Sequence, residues 1–583
     1  MKYRGVAYYP EFWPEERWNE DIRLMRDARI NLVRIGEFAW AALEPAEGRL
    51  ALDWLHRAVE TMGSAGIDVM LCTPTATPPA WITSEHPDTL LMRKDGTRAA
   101  HGGRRHYCPT SEDYRKFCAR ITEALAGEFS RHANVVAWQI DNELGPEIDQ
   151  CHCPGCARRF RAWLRLRYGG LDALNAAWQT RFWSVTFTDW DQVDIRHADG
   201  YPSIELDVRR FHSDSWVDFA AHQAAIIRRL HPSTLVTTNM MGPLFRWIDY
   251  SRMAPLLDVA TMSANALACD LFRCLKPGKR FWVTETGSGA LSTGRGPTAA
   301  QLRAWAFSAV ARGSDAHVIF RWRTCPAGQE QDLQGILETS GKPRRRFEAV
   351  EQLFGELEEL APALEGLAQP RAEVAMVNSW DCRWASQSTR VGAQVKEHPH
   401  FFALHELLYD RNIMVDVVPT ERDLAPYRLV VLPALCIVPP GLAERLREFV
   451  RSGGVVLATP QLTRRCGSPR GRWSWRPSRA PSPTQPGRPS ATWRTWNLNP
   501  RPGCAPSGTT CSRGSLRPRR TSSAGVRHTT SRLSWTSRPR GGCSIWPSRG
   551  RALRPAPDRR SGWRSSAGDP SRSRSTTRAR PAR

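Results

Sequence analysis

Two glutamates stand where apolar stretches end, and their carboxylates could carry acid–base or nucleophilic chemistry. Glu143 is the last of three polar residues, Asp141, Asn142 and Glu143, that follow Val135–Ile140, a run of apolar and β-favouring residues without a breaker. Glu285 closes a second apolar run that begins at Phe281. A solvated strand end or a rim salt bridge would explain either glutamate alone. Two opposed carboxylates at one rim indicate glycoside hydrolysis, in which one protonates the leaving oxygen while the other attacks the anomeric carbon or activates water.

The two glutamates can face each other only if their strands are parallel and end at the same edge. Residues 1–345 repeat a short apolar strand, a loop and a helical stretch eight times. This pattern predicts a (β/α)8 TIM barrel, whose catalytic residues lie at the carboxyl ends of the strands. An open doubly wound sheet would need a glycine-rich phosphate loop after the first strand, and Tyr8–Glu11 is not one. The predicted strands are Gly5–Tyr9, Asn31–Ile35, Asp68–Thr73, Val135–Ile140, Thr234–Asn239, Leu257–Met262, Phe281–Glu285 and His317–Trp322.

A smaller α/β pattern follows the barrel. Its predicted strands are Glu373–Val377, Val415–Val418, Leu429–Leu432 and Val455–Ala458. We find neither a catalytic elbow nor a phosphate loop in this amidotransferase-like segment, which favours an accessory or assembly role. The predicted domains are therefore a catalytic barrel at 1–370, an α/β accessory or assembly domain at 371–462 and a tail at 463–583.

The tail carries the whole basic balance of the chain. The net charge is +24, yet the tail contains 28 Arg, no Lys and two Asp, which leaves −2 for the rest. We therefore expect no nucleic-acid partner for the folded part. The tail lacks aliphatic periodicity, so we expect it to be disordered. Its composition, including seven Trp, is typical of a GC-rich gene read out of frame; a basic RNA-binding tail is the alternative.

Five segments of the first 460 residues carry a resemblance to a known family. The chain resembles the family-42 glycoside hydrolases, mostly bacterial β-galactosidases. The resemblance implies a retaining exo-β-galactosidase with Glu143 as the acid/base, Glu285 as the nucleophile and Asn142 on the sugar 2-hydroxyl. The segments are Tyr8–Trp13, Arg34–Trp40, Thr75–Trp81, Trp138–Glu143 and Phe320–Arg323.

The resemblance also implies further substrate contacts. Arg104 falls where the family has a substrate-binding arginine, and Trp183 and Glu330 fall at sugar contacts. Trp322 is a candidate sugar platform, with core packing under the site as the alternative. Leu333 stands where many members have a histidine, and residues 286–297 lack a tryptophan that many members use. These departures bear on the choice of substrate rather than on the reaction.

Four cysteines form a second constellation. Cys151, Cys153 and Cys156 lie within six residues, and Cys108 lies on the loop after the third predicted strand. Four thiolates around Zn²⁺ would form a closed structural site, and family members often have zinc on a matching cluster. Reduced thiols without metal are the alternative.

The remaining expectations concern compartment, partners and competing functions. No apolar signal segment opens the chain and no run of about 18 apolar residues occurs, so we expect a cytoplasmic protein without a membrane partner. The resemblance implies a homotrimer and a small galactoside substrate. A related pyranosidase, such as an α-L-arabinopyranosidase or β-fucosidase, is the nearest alternative. A non-catalytic carbohydrate-binding protein is the alternative outside this class.

Overall fold

A computed structural model describes residues 1–145, 150–198, 200–242, 247–263, 265–291, 295–388 and 399–459. The predicted tail at 463–583 lies outside the described residues. The described chain contains two parallel sheets, one of eight strands and one of four, within a single compact unit. No helix in the described ranges is both long enough and apolar enough to cross a bilayer.

The eight-stranded sheet forms a TIM-type barrel, as predicted. Its strand order is β5-β4-β3-β2-β1-β8-β7-β6, so the first and last strands pair in parallel. The two end strands of this order also approach each other, because the Asp258 N–H donates to the Val236 carbonyl at 2.8 Å. The strands are β1 Tyr3–Ala7, β2 Leu32–Ile35, β3 Asp68–Cys72, β4 Val135–Gln139, β5 Leu235–Thr237, β6 Thr261–Ser263, β7 Phe281–Gly287 and β8 Ser314–Phe320.

Side chains from around the barrel fill its interior. Alternate strand residues point to opposite faces, so one set packs inside and the next set packs under the helices. The interior is therefore a solid core, and chemistry is confined to its mouth. The inner cluster consists of Tyr3, Leu32, Met70, Ala137, Val259, Trp282, Ala316 and Val318.

Helices cover the outside of the barrel. After β4, an insertion that contains the helices Pro154–Tyr168 and Leu171–Trp178 forms a separate small core around the cysteine cluster. The helices are α1 Trp18–Asp27, α2 Trp40–Leu43, α3 Asp53–Ser64, α4 Ala80–Glu85, α5 Glu112–Phe129, α6 Pro154–Tyr168, α7 Leu171–Trp178, α8 Pro202–Leu230, α9 Tyr250–Met253, α10 Ala266–Leu275, α11 Ala299–Ala311 and α12 Arg345–Leu364.

The four-stranded sheet has the order β10-β9-β11-β12, and all its pairs are parallel. Its contacts with the barrel include a buried ion pair from Asp416 to Arg273 at 2.6 Å and a buried hydrogen bond between His405 Nε2 and Asp270 Oδ2 at 2.8 Å. The elements are β9 Val374–Asn378, α13 Trp380–Ser388, α14 Pro399–Tyr409, β10 Val415–Pro419, β11 Leu429–Leu432, α15 Leu442–Arg451 and β12 Val455–Ala458.

Strand limits differ from the predictions at the mouth of the barrel. β1 ends at Ala7 and β8 ends at Phe320, two residues before the predicted ends, although Tyr8, Tyr9 and Trp322 are buried. One more backbone hydrogen bond joins each end to the neighbouring strand, from the Tyr8 N–H to the Arg34 carbonyl and from the Trp322 N–H to the Ala7 carbonyl, both at 2.9 Å. The apolar pattern continues past the regular ladder and therefore placed these two strand ends too late.

Candidate active site

The loop after β4 carries the first predicted catalytic residue in an unusual backbone conformation. Asp141 and Glu143 have φ of 54° and 48°, in the left-handed region that costs free energy for most residues. The fully buried Asp141 carboxylate holds this turn, because it accepts hydrogen bonds from Thr75 Oγ1 at 2.6 Å and from the Tyr107 hydroxyl at 2.8 Å. Burial raises the pKa of Asp141, whereas these hydrogen bonds lower it.

Arg104 brings Asn142 and Glu143 together. Its guanidinium donates to Asn142 Oδ1 at 2.7 Å and pairs with Glu143 Oε2 at 2.8 Å. Arg105 donates to the Asn142 carbonyl from the other side at 2.5 Å. The predicted substrate-binding arginine, the amide and the acid therefore form one hydrogen-bonded group, with the Glu143 side chain 13% exposed.

Glu285 lies two residues before the carboxyl end of β7, beside a buried guanidinium. Arg34 Nη1 contacts Glu285 Oε2 at 3.0 Å, and Arg34 Nη2 contacts Glu37 Oε1 at 3.0 Å. The Tyr9 hydroxyl donates to the same Glu37 oxygen at 2.9 Å. Arg34 and Glu37 are fully buried, whereas the Glu285 side chain is 23% exposed. The chain thus fixes Glu285 from below and leaves it open toward the mouth.

One asparagine connects the two glutamates. Asn239, just past β5, accepts the Glu143 backbone N–H at 2.7 Å and places its Nδ2 3.5 Å from Glu285 Oε2. Burial raises the pKa of Glu143 and the charge of Glu285 raises it further, while Arg104 and other arginines lower it. A carboxyl group inclined to keep its proton beside an arginine-held carboxylate suits an acid paired with a nucleophile.

The three other predicted sugar contacts have different environments. Glu330 pairs with Arg321 Nη1 at 2.6 Å, and the Arg321 guanidinium lies over the Tyr9 ring at 4.4 Å. Burial raises the pKa of Glu330. Trp322 is 1% exposed and packs in the main core, which favours support beneath the site over a stacking platform. Trp183 is 71% exposed and stacks on Phe182 at 5.7 Å.

The four predicted cysteine ligands converge in the buried core of the insertion. The Sγ atoms of Cys108, Cys151, Cys153 and Cys156 all lie within 4.8 Å of one another. Cys108 Sγ lies 3.8 Å from Cys153 Sγ and 3.5 Å from Cys156 Sγ. Four sulfurs about 2.3 Å from a tetrahedral Zn²⁺ would be about 3.8 Å apart, so these residues fit such an ion. Hydrogen bonds among the four thiols lower the pKa values of Cys108 and Cys153 and raise those of Cys151 and Cys156.

Sequence reasoning assigned no role to several residues that orient the glutamates. Arg34, Glu37 and Tyr9 lie in segments that carried the family resemblance, but their mutual contacts required the folded barrel. Asn239 carried a usable signal, since it is a polar residue at the end of an apolar strand, as Asn142 is. The same rim rule would have found it.

Comparisons with known proteins agree with this geometry. Residues 7–360 match the sequence profile of a family described as beta-galactosidase, glycoside hydrolase family 42. The chain belongs to that family. Residues 372–463 match a second profile, described as the beta-galactosidase trimerisation domain. The predicted family, the barrel and the glycoside hydrolase class are thereby confirmed.

Individual β-galactosidases extend the match over most of this chain. A beta-galactosidase from Halorubrum lacusprofundi is 37% identical over 497 residues, 78% of this chain and 69% of that protein. One from Thermus thermophilus is 36% identical, covering 78% and 75%. The solved Halorubrum lacusprofundi enzyme superposes with a TM-score of 0.73 at 36% identity, covering 78% of this chain and 72% of that one. A catalytic mutant of Gan42B, a family-42 beta-galactosidase from G. stearothermophilus, gives 0.75 at 30% identity, covering 79% and 72%.

Proposed function

We propose that this family-42 enzyme hydrolyses terminal non-reducing β-D-galactosyl residues by double displacement. A Glu285 carboxylate oxygen attacks the anomeric carbon while Glu143 donates its proton to the departing glycosidic oxygen. Glu143 then takes a proton from water, whose oxygen displaces Glu285 and releases galactose with retained configuration. The observation that carries the proposal is Asn239, which contacts both glutamates at one barrel mouth. We expect their carboxyl groups about 5–5.5 Å apart.

Four other side chains complete the proposed galactose site. Asn142, oriented by Arg104, would hold the sugar 2-hydroxyl, a bond that strengthens in the transition state. Glu330, held by Arg321, would accept hydroxyl hydrogen bonds. Trp183 would supply an aromatic wall, and the buried Trp322 would support the floor.

Paired substitutions test the two roles. Glu285→Gln should abolish hydrolysis of both lactose and nitrophenyl β-galactoside. Glu143→Gln should lose about 10²–10⁴-fold on lactose, because its poor leaving group needs the proton. Azide should restore the activity of Glu143→Ala on a substrate with a good leaving group, because azide can attack the galactosyl–enzyme without a general base. The product should be β-galactosyl azide. Glu448→Gln, at an exposed glutamate on α15, is the matched control and should behave as wild type. Wild-type activity in Glu285→Gln would remove the proposed nucleophile.

The substrate specificity can be tested with sugars that differ at one carbon. α-L-Arabinopyranosides and β-D-fucosides share the ring hydroxyls of galactose but lack its C6 group or its C6 hydroxyl. We propose a preference for galactosides, supported by the family match. The kcat/KM values of a panel of nitrophenyl glycosides test this preference. A higher kcat/KM for the arabinopyranoside or the fucoside than for the galactoside would favour the related pyranosidase. Galactose binding without turnover of any glycoside would indicate a carbohydrate-binding protein.

We further propose a structural Zn²⁺ on Cys108, Cys151, Cys153 and Cys156. The fit of the four sulfurs supports it, and the set leaves no open position for substrate. The bound ion would brace the loop that follows Arg104 against the loop that follows Glu143. Metal analysis of the purified protein should give about one zinc per chain, and a value far below one would contradict this assignment.

The second domain suggests how the enzyme assembles. We propose a homotrimer, supported by the match of residues 372–463 to a trimerisation domain, with the barrel at 1–370 and the assembly domain at 371–462. Sedimentation equilibrium should give three chains per particle. We also propose a cytoplasmic location, because the free thiols of the described chain, ten of them buried, suit a reducing compartment.

A further inference from the structure

An apolar patch lies beside the polar groups at the barrel mouth. Phe38, after β2, and Leu333, after β8, pack against a buried cluster of Ala7, Tyr9 and Phe320. Phe38 and Leu333 are themselves only partly buried, so part of each side chain is open to solvent. The mechanism proposed above uses neither of them. Apolar side chains that remain open at the mouth of a site can contact the carbon atoms of a ligand.

Backbone and charge contacts place Leu333 close to the proposed catalytic groups. The Leu333 N–H donates to the Glu330 carbonyl at 3.0 Å, so one turn joins the two residues. Burial raises the pKa of Glu330; the charge of Glu285 also raises it, and the charge of Arg104 lowers it. Both charges must lie near Glu330 to act on it. Leu333 is therefore one turn from a carboxyl group that shares the mouth with the proposed nucleophile.

The loop that follows β7 borders Leu333 on its other side. The Ala290 N–H donates to Gln334 Oε1, and the Gln334 N–H donates to the Ala290 carbonyl, both at 3.0 Å. Next to Ala290, the exposed Leu291 lies against Gly287, where an added Cβ would be 2.7 Å from Leu291 Cδ1. Apolar side chains thus lie on both sides of the hydrogen bonds that join the β7 loop to the segment of Leu333.

The order of the proposed contacts around the sugar ring assigns this patch to C6. Glu285 and Glu143 act at C1, and Asn142 holds the 2-hydroxyl beside them. This arrangement leaves Glu330 for the hydroxyls of C3 and C4, on the far side of the ring. The next group around the pyranose is the C6 hydroxymethyl on C5. The side chain one turn from Glu330 is the apolar Leu333.

We propose that the patch of Phe38 and Leu333 packs against the C6 carbon of the sugar and gives no hydrogen bond to its hydroxyl. This inference rests on the proposed function of the site. The enzyme then accepts β-D-fucosides, in which C6 is a methyl group, nearly as well as galactosides. It discriminates against α-L-arabinopyranosides, which lack C6, because an apolar pocket recognises a missing carbon by the contact that is lost.

The kcat/KM values of the full chain on nitrophenyl β-D-galactoside, β-D-fucoside and α-L-arabinopyranoside test this inference. The fucoside value should lie within about fivefold of the galactoside value, and the arabinopyranoside value should be about 10–200-fold below the fucoside value. A galactoside value more than about fivefold above the fucoside value would overturn the inference, because a buried group that loses its hydroxyl partner costs at least that much. Equal values for fucoside and arabinopyranoside would also overturn it. Absence of turnover on all three sugars would instead count against the proposed galactosidase function.

Substitutions of Leu333 assign the effect to the patch. Leu333→Gln keeps a similar volume and adds a hydrogen-bonding group, so the galactoside-to-fucoside ratio of kcat/KM should rise about fivefold or more. Leu333→Ala, which covers a folding failure of the first variant, should lower the fucoside-to-arabinopyranoside ratio about threefold or more. Leu364→Gln is the matched control and should change neither ratio. Leu364 is also partly buried, but its carbonyl accepts a hydrogen bond from Arg280, which precedes β7 at the opposite end of the barrel. Wild-type ratios in both Leu333 variants would overturn the proposal.

Discussion

Removing the charge of Arg104 should raise the pKa of Glu143, the proposed acid, and the direction of the shift follows from their contact. Arg104 Nη2 lies 2.8 Å from Glu143 Oε2, and its positive charge lowers the pKa of Glu143 against the larger effect of burial. In Arg104→Met the Glu143 carboxyl therefore keeps its proton to higher pH. The descending basic limb of kcat/KM, which reports loss of the proton from the general acid, should move up.

The geometry bounds the size of this shift. Charge centres about 4 Å apart interact by about 4 kcal/mol at an effective dielectric constant of about 20. The Arg104 side chain is 30% exposed, so solvent screening and water that replaces the guanidinium recover most of this energy. About 1–1.5 kcal/mol remains, which corresponds to about one pKa unit. kcat/KM should also fall at every pH because Asn142 loses the hydrogen bond that orients it.

Lactose is the substrate for this measurement, because its sugar leaving group requires protonation. kcat/KM is measured from pH 4 to pH 9 for wild type, Arg104→Met and Arg104→Lys. The lysine variant keeps the charge and loses the two-point contact, so its rate should fall while its basic limb stays near that of wild type. A basic limb in Arg104→Met that is unmoved, or displaced to lower pH, would refute the assignment of Glu143 as the acid held by Arg104.

Three further perturbations address the metal, a buried acid and the support of the nucleophile. Cys153→Ala should lose zinc and lower the calorimetric unfolding midpoint by at least about 5 °C; an unchanged midpoint in metal-free protein would contradict the structural role. Burial raises the pKa of Asp249 to about 6, so ionisation opposes folding and stability falls as pH rises from about 4 to 6. Asp249→Asn should remove this loss, about 3 kcal/mol at most, and urea unfolding at pH 4 and pH 7 measures it. Glu37→Gln should cost about 1–3 kcal/mol in the same unfolding assay, because it removes one of the two carboxylates that pair with the buried Arg34. It should also reduce lactose hydrolysis more than Tyr9→Phe does; equal effects would argue against this support.

The barrel could be predicted because its strands repeat a simple signal. Each of the eight predicted strands overlaps an observed one, since apolar runs buried on both faces are typical of parallel sheets. The small helix α13, Trp380–Ser388, was missed. Its polar and aromatic residues face both the barrel and the second sheet, so it has no single apolar stripe for a periodic pattern to reveal.

The site could be predicted only as far as residue type and strand end allow. Glu143 and Glu285 stand at the ends of their strands, and the rim rule applies to each separately. Arg34, in contrast, lies within β2, and its contact with Glu285 depends on how the strands between them close. For Trp322 the position near a strand end could be predicted, but the direction of the side chain could not. A tryptophan there has the same sequence pattern whether it faces a sugar or the core.

The surroundings of the two glutamates differ in a way that suits the different roles proposed for them. Glu285 contacts a guanidinium that is fully buried, whereas Glu143 contacts one that is 30% exposed. A buried charge pair is screened little by water, so the contact from Arg34 Nη1 to Glu285 Oε2 is the stronger of the two. Arg104 lowers the pKa of Glu143 by less than burial raises it. The negative charge of Glu285 raises the pKa of Glu143 further. In the proposed mechanism the sugar esterifies Glu285 and that charge disappears, so Glu143 would give up its proton more readily and act as the base toward water.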